Sequence, residues 1–182
     1  MERQWSLEES TVVDAPPERV YAWVSDLRNM GRWSPECRYV WVPRPPARAG
    51  TRFVGFNRRG PFAWPTFGRV VRAAPGGEFV FDVGILGLPI ARWGYRFEPE
   101  GEGTRLTEFW EDLRTGGRRA RAAELLGTVF AGTNTARRVA VNRAGMRTTL
   151  ARIAETARMT GTDRGAGSAG PRSASLRGPD HR

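Results

Sequence analysis

Few residues in this 182-residue chain can do chemistry, and their types narrow the options before any fold is considered. The only histidine is His181, far along the C-terminal stretch. Without an imidazole elsewhere, the body of the chain has no Ser–His or Cys–His nucleophile pair and no His-based metal site. Cys37 is the single cysteine. With no imidazole beside it, it reads as a small buried hydrophobe and not as a nucleophile. Gly55, Gly60 and Gly68 sit among β-like segments and not before a helix, so P-loop and dinucleotide-binding spacings are missing. Hydrolase, dehydrogenase and zinc chemistries are disfavoured, and neither a cofactor nor a metal is implied.

What remains is a set of aromatic residues with a few polar ones among them. Over residues 90–98, Trp93, Tyr95 and Phe97 share one strand face, and Arg92, Arg96 and Glu98 share the other. Phe79, Phe81 and Val83 alternate in the same way, as do Leu106, Glu108 and Trp110. A carboxylate on an apolar inner face is costly unless it is paired or lines a cavity, which makes Glu108 a candidate ligand-orienting group. The opposite phase, with Thr107, Phe109 and Glu111 inward, fits the residues as well. On the last helix, Asn142 and Arg143 fall beside an apolar stripe. Arg143 can pair with Glu108, meet an acidic or carbonyl group of a ligand, or extend past the stripe's edge into water. Trp33 either closes a pocket mouth or packs in the core. Together these residues suit an apolar pocket with a few orienting polar groups.

The elements that must position them follow from local pattern. Residues 5–14 read as a first strand. Pro16, Pro17 and Glu18 then open a helix, the prolines in a first turn that needs no N–H donor and the acid near its positive end. Val20, Trp23, Val24 and Leu27 give it an apolar stripe, and it breaks near Met30–Gly31. Short β segments follow at 38–42, 51–57, 64–73, 78–83, 90–98 and 104–112, separated by Gly- and Pro-rich turns and by no helix. Such spacing predicts an antiparallel sheet. From about residue 118 to 158 the strand signals vanish. Gly127 and Gly132–Thr133 divide this region into a short helix and a long one starting near Asn134, whose stripe is Val139, Met146, Leu150, Ile153 and Ala157. The expected fold class is α+β.

Composition sets the outer limits. A hydrophobic content of 40%, with seven Trp and nine Phe, is that of a globular domain. About 150 residues suffice for a core without disulfides, and a lone cysteine fits a reducing compartment. There is no run long enough to span a membrane and no apolar leader, so a cytoplasmic protein is expected. After Met159 the chain turns to Gly, Ser, Pro and Arg; residues 1–159 are read as the domain and 160–182 as a disordered tail. The net charge is +10, carried entirely by arginine. Arginines and acids look interleaved, with Arg58–Arg59 and Arg118–Arg119–Arg121 as the dense basic patches. Nucleic-acid or anionic-membrane association through them is a minor alternative, to be recognised by clustering on one surface; a nucleic-acid partner is not expected, and a homodimer is left open.

Four landmarks carry a family resemblance. Residues 12–26 (VVDAPPERVYAWVSD) and Trp33-Ser34-Pro35 resemble the strand, helix and break that open the SRPBCC (START/Bet v 1-like) domains, which include polyketide cyclases. Gly50–Phe53 with Gly55, Asn57 and Arg58 resembles the second hairpin of a bacterial branch of this group. Residues 103–108 resemble its late strand and 145–150 its final helix. The resemblance implies a helix-grip fold, an antiparallel sheet of about seven strands curled around the long C-terminal helix, with a pocket between them. It implies a lipid-, polyketide- or quinone-like ligand, with Trp33, Phe81, Trp93, Tyr95, Phe97, Glu108, Trp110, Asn142 and Arg143 as candidate contacts. It also permits a cyclase or aromatase, for which Glu108 and Tyr95 would be the acid–base pair.

Overall fold

Alternating side chains and proline-marked turns fold into a seven-stranded sheet closed on one side by helices. A computed structural model describes residues 6–85, 87–114 and 135–166. The short helix expected before Gly132, the arginines at 118, 119 and 121, and residues 167–182 with His181 lie outside the described residues.

Strand β1 (Ser6–Val13) leads into α1 (Pro17–Ser25). Pro16 is extended at the helix cap and Pro17 takes the first helical position, where a missing N–H breaks no bond. The helix ends earlier than its apolar stripe suggests, because Asp26 leaves helical geometry (φ −79°, ψ 88°) and its carboxylate accepts from the Arg28 N–H at 3.2 Å. A 3-10 turn (Leu27–Asn29) and a short α2 (Met30–Trp33) follow. Strands β2 (Cys37–Trp41), β3 (Arg52–Arg59), β4 (Phe62–Ala74), β5 (Glu78–Ile85), β6 (Leu88–Glu100) and β7 (Gly103–Asp112) form a meander, and α3 (Thr135–Ala166) closes the described chain. The spatial order is β1-β7-β6-β5-β4-β3-β2, with every neighbouring pair antiparallel. The helix-grip arrangement expected from the landmarks is therefore present, and α3 continues to Ala166, beyond the composition boundary at Met159.

Met146, Leu150, Ile153 and Ala157 are buried on one face of α3. Leu150, Ile153 and Ala157 join Val20, Val24 and Leu27 from the first helical segment and Phe79, Phe97 and Leu106 from the sheet in the main core. Each such side chain contributes on the order of 2 kcal/mol by leaving water. The sheet accommodates large rings by placing glycine opposite them. Gly68 is the register partner of Phe53 on the inner face, and a Cβ there would overlap the Phe53 ring. Gly94 plays the same part for Phe109 on the outer face, where the Arg96 guanidinium covers the ring at 4.6 Å. Among the described residues, no helix is long and apolar enough to cross a membrane.

Candidate functional site

The inner face of the sheet and α3 do not meet along their whole length. Between them lies a cavity of about 480 Å³. Phe53, Phe81, Trp93, Tyr95, Glu108 and Trp110 form its sheet wall, and Asn142, Gly145, Met146 and Thr149 its helix wall. Met30 and the segment from Ser34 to Cys37 close a third side. The wall is mostly apolar, as ligand sites generally are.

Strand pairing sets its polar centre. Tyr95 on β6 and Glu108 on β7 are register partners, so both side chains leave the sheet on the inner face. The Tyr95 hydroxyl lies 2.9 Å from Glu108 Oε1 and 3.9 Å from Met30 Sδ. Glu108 is only 4% exposed, and its Oε2 has no partner among the described residues. Burial pushes its carboxyl up to about 8, against which the hydrogen bond from Tyr95 works in the opposite direction. The Tyr95 hydroxyl is raised well above its ordinary value, first by burial and then by Glu108. At neutral pH Glu108 is therefore mainly the neutral acid, a hydrogen-bond donor held against an apolar wall. Cys37 also lines the cavity, and burial raises its thiol to about 11.

Of the nine side chains expected at the pocket, Phe81, Trp93, Tyr95, Glu108, Trp110 and Asn142 line the cavity, and three do not. Trp33 is 4% exposed within the main core, and its carbonyl accepts from Arg152 Nη1 at 3.0 Å. It packs in the interior and closes no mouth. Phe97 lies edge-on against Tyr21 at 5.3 Å, two positions beyond Tyr95 along β6 and within the core under α1. Arg143 turns away altogether. One step along a helix rotates a side chain by about 100°, so Asn142 faces the cavity while Arg143 reaches the Glu9 carboxylate on β1 at 3.4 Å. Its pairing with Glu108 does not occur.

Sequence reasoning missed the charged cluster beside the cavity. Arg138 on α3 forms a two-pronged ion pair with Glu36, at 2.6 and 3.2 Å, and its guanidinium lies 5.9 Å from the Trp64 ring centre. Arg59 Nε stands 3.7 Å from the same carboxylate. Arg114, also on the cavity wall, holds Asp112 at 2.8 and 2.7 Å, and the Asp112 side chain is fully buried. Glu36 and Arg138 are far apart in the chain and carry no local pattern that links them. Among the described residues, no group of three or more His, Cys, Asp or Glu side chains is placed to hold a metal.

Fold and site together define a helix-grip α+β domain with an apolar cavity between sheet and helix and one neutral, buried carboxyl on its wall. The chain belongs to the family described as polyketide cyclase / dehydrase and lipid transport, whose family model matches residues 4–158, and so to the SRPBCC superfamily that its landmarks resemble. It is similar to the polyketide-cyclase-like protein Cgl2372 of Corynebacterium glutamicum, with 28% identity and a TM-score of 0.58 over 94% of this chain and 100% of that one. It also resembles two di-domain ARO/CYC proteins. StfQ of the steffimycin biosynthetic pathway is 17% identical with a TM-score of 0.64, over 86% of this chain and 51% of that one. BexL of the BE-7585A pathway is 19% identical with a TM-score of 0.60, over 84% and 50%. The chain thus spans about half the length of each di-domain protein, and at these identities the likeness is one of fold. The comparison with curated proteins gives no match.

Proposed function

We propose that the cavity holds a small apolar or amphipathic ligand, lipid-, polyketide- or quinone-like, oriented by a hydrogen bond from the protonated Glu108 carboxyl to a ligand oxygen. One observation carries this reading: Glu108 Oε2 is buried at the wall of an apolar cavity without a partner among the described residues. A buried polar group left unsatisfied costs about 1–3 kcal/mol, and a ligand carbonyl or hydroxyl oxygen would recover much of it. Aromatic walls and a volume of about 480 Å³ suit a ligand of modest size. The lone Cys37 fits a reducing, cytoplasmic setting.

Native mass spectrometry of the freshly purified protein tests it, since an adduct lost on denaturation is expected. Gly145 supplies the control. It lines the cavity, and a Cβ there would meet nothing closer than Pro35 Cγ at 3.7 Å. Gly145→Leu should fill the space and remove the adduct without unfolding the chain. A protein that carries no adduct and takes up no apolar fluorescent probe would end the ligand reading.

A second reading has its own support in the Glu108 carboxyl, which at about 8 lies close to neutrality where general acids work best. A folded polyketone held in the cavity would receive the Glu108 proton on a carbonyl oxygen while Tyr95 fixes the carboxyl through its 2.9 Å hydrogen bond. Membership of a family that includes cyclases is consistent with it. Unchanged turnover of every accepted polyketide by Glu108→Gln and Tyr95→Phe would exclude that chemistry.

A further inference from the structure

The interleaving of arginines and acids expected from the sequence breaks down over one long stretch. From Cys37 to Gly77 there is no Asp or Glu, while arginine stands at 38, 44, 48, 52, 58, 59, 69 and 72. These residues build β2, β3 and β4, the last three strands at one side of the sheet. The outer face is consequently divided. Toward β1, arginines are matched by acids: Arg96 with Glu8 at 2.9 Å, and Arg92 with Asp82 at 2.7 Å and Glu111 at 3.8 Å. Toward β2, the outward-facing Arg52 and Arg58 and the exposed Arg38 have no carboxylate at ion-pair distance among the described residues. Arg69 stands across from Asp82 of β5, whose carboxylate Arg92 holds, and Arg72 at the far end of β4 pairs with Glu78.

Between those arginines lie two cross-strand rows of exposed apolar side chains. Tyr39, Phe56 and Pro65 form one row, with the Tyr39 and Phe56 rings stacked at 6.0 Å, and Trp41, Val54 and Phe67 form the next. Tyr39, Trp41, Phe56 and Phe67 are each between 46% and 54% exposed. Contiguous exposed aromatic surface of this kind marks an interaction site. Arg58 flanks the rows at one end. At the other, Arg52 and Arg69 are direct register partners. Asp82 stands on the other side of Arg69, already held by Arg92, so Arg52 faces a like charge and no acid of its own.

We propose that the outer face of β2, β3 and β4 docks the protein on the surface of an anionic lipid bilayer. Aromatic rings suit the boundary between headgroup and acyl chain, and the flanking arginines meet the lipid phosphates. The sheet curls around α3, so this face bulges outward and offers no groove for a nucleic-acid strand to follow. A two-fold pairing with a second copy would set this acid-free surface against itself, arginine facing arginine. The proposal is independent of the cavity, which lies behind the opposite face of the same strands.

The full-length chain is tested by flotation with phosphatidylcholine vesicles, with and without phosphatidylglycerol. Binding should require the anionic lipid and weaken as salt is raised. Arg52→Gln/Arg58→Gln should weaken it about 25-fold, about 5-fold for each arginine, and both are exposed positions without a carboxylate partner among the described residues. Trp41→Ser/Phe67→Ser, at exposed positions, should weaken it at least tenfold, roughly. Equal binding to both vesicle types, or no effect of either double substitution, would overturn the proposal. Light scattering that shows a dimer converted to monomer by Trp41→Ser/Phe67→Ser would assign the face to a second copy instead. Binding of single-stranded RNA through the same residues, without vesicle binding, would assign it to nucleic acid.

Discussion

The Tyr95 hydroxyl sits 2.9 Å from Glu108 Oε1, joining two strands where the sheet wall of the cavity carries an acid. The contact follows from register: the two residues are directly paired on β6 and β7, and inward-facing positions of an antiparallel pair bring their side chains together. Tyr95 satisfies one carboxyl oxygen, and the other has no partner among the described residues.

The first consequence is a pH-dependent stability. The Glu108 carboxyl rises from an ordinary 4.5 to about 8 in the folded protein. Below about pH 4.5 both folded and unfolded chains are protonated there. Between about 4.5 and 8 only the folded chain keeps the proton, so stability falls as pH rises, by about 1.4 kcal/mol per unit from this group alone, and levels off above about 8. Urea unfolding from pH 5 to 9 should show this downward slope, and Glu108→Gln should flatten it. A variant with an unaltered slope would show that Glu108 does not hold its proton in the fold.

Cys37 should be a poor nucleophile. With the thiol raised from 9.0 to about 11 by burial, its thiolate population at pH 8 is about 100-fold lower than in the unfolded chain. Labelling with a disulfide reagent should slow by about that factor relative to urea-unfolded protein. Equal rates would show an open, ordinary thiol.

The Glu36–Arg138 pair ties the segment before β2 to the first turns of α3 across the cavity wall. Its side chains are 16% and 24% exposed, so screening is partial. Arg138→Met should cost about 1–2 kcal/mol in denaturant unfolding and speed amide exchange at the start of α3. No change in either would make the pair incidental.

Gly68 should not tolerate a side chain. Its partner Phe53 occupies the space a Cβ would take, so Gly68→Ala is expected to cost about 1–3 kcal/mol. Adding Phe53→Leu should recover part of the loss. If the double variant is as unstable as the sum of the two changes, the ring is not what excludes the methyl group.

The sequence by itself determined the order of elements, the antiparallel meander and the family. Proline at a helix start, glycine in turns and alternation in strands are local rules, broken here at the irregularities in β2, β4 and the β5–β6 pairing. It also named Tyr95, Glu108, Trp110, Phe81 and Trp93, because one alternation serves a whole strand. It left the phase of β7 open, since both faces of that strand carry an aromatic ring and an acid. The structure resolves this: Phe109 points outward yet is buried, lying over Gly94 beneath Arg96. Tertiary structure alone decided that Asn142 lines the cavity while Arg143 leaves it for Glu9, because a helix's rotation is set by what packs against it. It alone brought Glu36 to Arg138, and it turned a Glu108 carboxyl of ordinary sequence context into a neutral acid. Burial and pairing between distant residues depend on where the chain returns, and no local pattern records that.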